Sequence, residues 1–70
     1  MIRTPVSSSD LASVGYDENL KILEIAFNSG GIYQYKNVPG YIYQRLMNAS
    51  SKGKYFHRYI EGFYEYIKLN

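Results

Sequence analysis

Cysteine and tryptophan are absent from this 70-residue sequence, histidine occurs once, at His57, and there are only two prolines. Without cysteine, neither a disulfide framework nor a thiolate-ligated zinc site can help hold so short a chain together. A lone histidine excludes a multi-histidine metal site and makes any catalytic dyad depend on one residue. Apolar runs stop after a few residues, and no basic segment followed by an apolar stretch opens the chain. Neither a membrane-spanning helix nor a signal peptide is therefore expected, and the expectation is a cytoplasmic protein. Carboxylates are sparse as well, and Asp10, Asp17, Glu18 and Glu24 form no spaced acid–base motif.

What is plentiful is aromatic bulk: nine tyrosines and three phenylalanines within a composition that is 46% apolar. That composition is globular. The length allows one domain, residues 1–70, close to the lower limit at which a single core sustains itself. With disulfides and metal excluded, homo-oligomerisation is the remaining means of support. The net charge of +2 is unevenly spread. Residues 1–35 carry two bases against four acids, net −2, and residues 36–70 carry six bases against two acids, net +4. A basic second half favours an anionic partner.

Leu23, Ile25 and Phe27 alternate with Glu24 and Ala26, which predicts a strand over about Leu20 to Phe27, preceded by a strand near Val14 to Tyr16 and an Asp17-Glu18-Asn19 turn. Asn28-Ser29-Gly30-Gly31 tolerates positive φ and leads into a third strand, "IYQYK", with Tyr33 and Tyr35 on one face. Pro39 suits a first helical turn, and Ile42, Leu46 and Ala49 give the following helix, to about Ala49, an apolar stripe. Ser51 is a good N-cap for a second helix, with Tyr55, Phe56, Tyr59 and Ile60 on one side and Gly62 closing it. "FYEYIK" alternates again and fits a short C-terminal strand. The fold class expected is α+β, a three-stranded antiparallel meander packed against two short helices.

Chemistry concentrates at the start of the second helix. Ser51 leaves backbone N–H groups free there, Gly53 would let an oxygen-rich ligand approach, and Lys52, Lys54 and Arg58 add positive charge, a combination suited to phosphate. It is not a P-loop, because the upstream glycine and the Ser/Thr after the lysine are missing. The competing reading is that Ser51 only caps and the bases form a solvated face. Tyr33, Tyr35, Tyr41 and Tyr43 could stack bases, although tyrosine in so small a protein is more often core. Tyr35 and Tyr41 are the stacking candidates. His57 falls on the polar side of its helix, and nothing supplies the orienting group that a Ser7, Ser8 or Ser9 nucleophile would need, so no enzyme is expected.

The order "PVSSSDLASVGYDENLKILEIAF", "GGIYQYKNVP", "YQRLMNASSKGKYFHRYI" and "YEYIK" resembles the KTSC domain. That module is named for its place at the C-terminus of some lysyl-tRNA synthetases and is found also as a stand-alone protein in bacteria and their phages. Its most specific parts here are Tyr33-x-Tyr35, Val38-Pro39 and the run Ala49 to Phe56. The resemblance implies RNA binding, with Tyr35, Ser51, Lys52, Gly53 and Lys54 as the family-type positions near a ligand. His57 stands where asparagine or a similar small polar residue would be expected, which speaks against a family-wide catalytic role for it. The expectation is a non-catalytic module for a phosphate-bearing ligand, namely RNA, without cofactor, metal or membrane. Two alternatives stand beside it: a protein that sequesters a small cyclic nucleotide, and a protein-interaction or self-association module.

Overall fold

The computed structural model describes residues 1–70. Five strands and two helices follow in the order β1 (Thr4–Pro5), β2 (Leu11–Asp17), β3 (Ile22–Phe27), β4 (Ile32–Tyr35), α1 (Gly40–Asn48), α2 (Lys52–Tyr59) and β5 (Tyr66–Lys68). The strands form one antiparallel sheet in sequence order, β1-β2-β3-β4-β5. The α+β class is as expected, the predicted three-stranded meander is the centre of the sheet and the short C-terminal strand is present as β5, but β1 adds a fifth strand at the other edge. β1 has two residues, one of them Pro5, too short to leave a period in the sequence. β5 pairs Tyr66 with Tyr35 and Lys68 with Tyr33, so β4 is an interior strand. No helix is long and apolar enough to cross a membrane.

β2 runs longer than its sequence pattern suggests because of a bulge between Leu11 and Ser13. Leu11 and Val14 are three positions apart and would face opposite ways in a regular strand. The extra residue turns both inward, and each is fully buried. β3 begins at Ile22, two residues later than expected, because the Asp17 carboxylate accepts from the N–H groups of Asn19 and Leu20 at 2.9 and 3.0 Å and prolongs the turn. Gly30, at φ +110, makes the next hairpin.

One face of the sheet carries Val14, Leu23, Ile25 and Tyr35, against which α1 sets Ile42 and Leu46, and α2 sets Phe56. Phe56 is 1% exposed, its ring 5.2 Å from Phe27 and 5.4 Å from Tyr35. Burying such a side chain stabilises the fold by about 1.5–3 kcal/mol. Tyr16 joins sheet to helix by stacking on Tyr43 and donating its hydroxyl to the Val38 carbonyl. Pro39 is the N-cap of α1, so the helix begins at Gly40, one position after the predicted start at Pro39, since the ψ of Pro39, 149°, is still extended. Ser51 caps α2 as expected, its Oγ accepting from the Lys54 N–H at 3.3 Å.

The other face is crossed by the N-terminus. A Cβ on Gly15 would lie 2.8 Å from the Ile2 carbonyl oxygen, so only glycine lets Met1 to Arg3 pass this close. Arg3 then reaches Glu24, which is 5% exposed and accepts from Arg3 at 2.5 Å and from Gln34 at 2.8 Å. Burial pushes the Glu24 carboxyl up, but the hydrogen bonds from Gln34 and Arg3, with the charges of Arg3 and the N-terminal ammonium, outweigh it and leave the pKa lowered.

Candidate functional site

The run Ser7-Ser8-Ser9, between β1 and β2, lies against the start of α2. The Ser8 hydroxyl accepts from the N–H groups of Asp10 and Leu11, both at 3.2 Å, which curls the loop so that its neighbours face the helix. Together Ser7, Ser8, Ser9, Ser50, Ser51 and Lys52 line a pocket of about 340 Å³. All six are polar and none is a carboxylate. Lys52 donates to the Ala49 carbonyl at 3.2 Å, which holds its ammonium near the helix start. Ser51 and Lys52 therefore sit where the sequence placed them. The three serines of the loop are not among the phosphate-binding candidates that the sequence offers, because nothing local signals that the loop packs onto α2.

Gly53 has a different part from the one expected. It is buried, and a Cβ there would stand 3.0 Å from Asp10 Oδ2, so the room its missing side chain leaves is filled by a carboxylate of this chain instead of a ligand. Asp10 also meets His57 Nε2 at 3.0 Å, while Glu61 meets His57 Nδ1 at 2.8 Å. Both ring nitrogens are thus engaged with carboxylates. Hydrogen bonds to Glu61 and then to Asp10 raise the His57 pKa against a smaller opposing effect of burial. The Glu61 partnership is an i,i+4 pair that spacing alone allows. Asp10 comes from 47 residues away.

Beyond this bridge a second pocket, of about 460 Å³, opens between the sheet and α2. Phe27, Tyr33 and Tyr66 wall it, and Asp10, His57 and Glu61 are among its other lining residues. Tyr35 also lines it but is 5% exposed, with Tyr33, Phe56 and Tyr66 packed around its ring. Burial raises the Tyr35 pKa. No open face is left on Tyr35 for a base, so the stacking role expected of it is revised to that of a core ring. Tyr41 lies elsewhere, 57% exposed on α1 with the Arg45 guanidinium 5.2 Å from its centroid. Lys54 and Arg58 are exposed on α2, and Arg58 lies 5.7 Å from the Tyr59 ring.

The KTSC domain family model matches residues 7–66. The chain belongs to the KTSC domain family. A protein of Stutzerimonas stutzeri (strain A1501) is 43% identical to it over 58 residues, 83% of this chain and 82% of that one. A lysine–tRNA ligase of Nostoc sp. is 42% identical over 55 residues, 79% of this chain but only 10% of the ligase. The crystal structure of a KTSC domain protein from Yersinia pestis superposes with a TM-score of 0.96 at 43% identity, covering 99% of this chain and 97% of that one. The matched region takes in the serine loop, the whole sheet from β2 to the start of β5, and both helices.

Proposed function

We propose that this KTSC domain is a non-catalytic module that binds a phosphate-bearing ligand, RNA, at the start of α2. The observation that carries the reading is the serine–lysine pocket, in which six polar residues and no carboxylate surround a capped helix N-terminus. Hydroxyls, backbone N–H groups and an ammonium converge on a pocket that no carboxylate lines, which suits a phosphate, and the nearby Asp10 carboxylate beside Gly53 is paired with His57. Lys54 and Arg58 extend the positive charge along the exposed side of α2, where they would meet neighbouring phosphates. Tyr41, exposed on α1 beside Arg45, would offer its ring to an unpaired base. The lysine–tRNA ligases that contain a matching segment are named for tRNA, which supports RNA as the polymer.

A small nucleotide, cyclic or linear, is the second reading, favoured by the concavity of the two pockets as opposed to an open groove. Salt separates the two. An unpaired strand held by Lys52, Lys54 and Arg58 should lose affinity with a log–log slope of about −2, roughly 15-fold between 50 and 200 mM salt. Fluorescence anisotropy with a short unpaired RNA, repeated on the Lys52→Ala/Lys54→Ala variant, tests this. Loss of most of the affinity and a slope falling toward about −0.7 support the proposal. Unchanged binding by the variant overturns it and turns attention to self-association through the exposed Phe63, Ile67 and Leu69 at the end of the chain.

A further inference from the structure

Ser9 lines both pockets, so the serine–lysine pocket and the aromatic pocket adjoin. Their chemistries are opposite. The first offers donors and positive charge. The second offers the rings of Phe27, Tyr33 and Tyr66 and, beside them, the carboxylates of Asp10 and Glu61. Each carboxylate gives one oxygen to His57 and keeps the other, Oδ1 of Asp10 and Oε2 of Glu61, for an additional donor. Another phosphate would be repelled from that place. A flat ring edged with N–H groups would be held there, by stacking and by hydrogen bonds to acceptor-only carboxylates.

A molecule with an anion at one end and such a ring at the other is a nucleotide. We infer that the aromatic pocket holds the base of the nucleotide whose phosphate lies among Ser7, Ser8, Ser9, Ser50, Ser51 and Lys52, with guanine preferred because its edge brings two adjacent donors, N1–H and N2–H, to a carboxylate oxygen that His57 leaves open. The inference rests on the phosphate reading above and adds to it a base subsite and a base preference. It applies equally to a free mononucleotide and to one unpaired residue of an RNA strand, since both present the same base and phosphate. Tyr66 is the ring that can be removed most safely, being 58% exposed and on the edge strand β5.

Calorimetric titration of the intact protein with guanosine 5′-monophosphate, ribose 5-phosphate and uridine 5′-monophosphate tests it. The expected result is binding of the guanine nucleotide at least about tenfold tighter than ribose 5-phosphate, within the range that stacking one base supplies. Tyr66→Ala should erase most of that advantage while leaving ribose 5-phosphate binding unchanged. Glu61→Gln should narrow the gap between guanine and uracil. Equal affinity for the guanine nucleotide and ribose 5-phosphate would overturn the base subsite and leave the phosphate site standing. Absence of binding by all three and by oligomers, in a protein that melts cooperatively, would overturn both. A uracil oligomer carrying a single guanine, compared with one of uracil alone, then identifies the source: a guanine preference in the oligomer assigns the subsite to RNA, and a preference only among mononucleotides assigns it to a free nucleotide.

Discussion

Replacing Arg3 by alanine would leave the Glu24 carboxylate under the N-terminal segment with Gln34 as its remaining side-chain donor. Removing one member of a buried ion pair costs about 3–5 kcal/mol when the other stays charged and dry. The Arg3 side chain is 30% exposed, so water can partly replace it and the expected loss is nearer 2–3 kcal/mol. A domain of this size is stabilised by roughly 4–10 kcal/mol in total, and the loss corresponds to a fall in Tm of about 10–20 °C. The sign with pH follows from the lowered Glu24 pKa. Its stabilisation is present above the unfolded carboxylate pKa of about 4.3 and is lost as pH falls through the lower folded value. Urea denaturation of the wild type and the variant should therefore show a gap that is full at pH 7 and closes in acid. Adding Glu24→Gln to Arg3→Ala should recover most of the loss, because a neutral amide needs no counter-charge. A difference under about 0.5 kcal/mol at pH 7, or one that persists unchanged in acid, would refute the reasoning.

Further outcomes follow from the geometry. The His57 ring should titrate above its ordinary value by NMR, and Glu61→Gln should bring the midpoint down more than Asp10→Asn, in the order of their hydrogen-bond contributions. Because the folded pKa is raised, the stability this bridge gives is present below the unfolded histidine value and disappears as pH rises through the folded one. Phe56→Ala should cost about 3–5 kcal/mol in chemical denaturation. Phe63→Ala, at a residue 69% exposed, should change stability by less than about 0.5 kcal/mol.

The parts of this fold legible in the sequence are those with a local cause. The alternation of Leu23, Ile25 and Phe27 gives β3, Gly30 gives the hairpin, and Ser51 followed by Phe56 and Ile60 gives α2 its cap and its buried side. Family membership was legible too, from Tyr33-x-Tyr35, Val38-Pro39 and the run from Ala49 to Phe56. The alternation in FYEYIK also gives the short C-terminal strand β5, but the other edge of the sheet was not legible, because Thr4–Pro5 becomes a strand only through its partner on β2. Half of the candidate site was hidden for the same reason. Ser7 to Ser9 reach α2 through tertiary packing, and Asp10 fills the space beside Gly53 from the far end of the sequence. Glu24 reads as a solvent-facing residue from its alternation, and is buried because the N-terminal segment passes over it.

The central claim, that a phosphate-bearing ligand is held where the serine loop meets α2, is tested most directly by NMR. The backbone amide resonances of the ¹⁵N-labelled protein would be followed while a short unpaired RNA is added at low salt. The account predicts that the largest shifts fall on Ser7 to Ser9 and Ser50 to Lys54 and vanish in the Lys52→Ala/Lys54→Ala variant. Shifts confined to the exposed C-terminal residues Phe63 to Leu69, or none anywhere at saturating RNA, would contradict it.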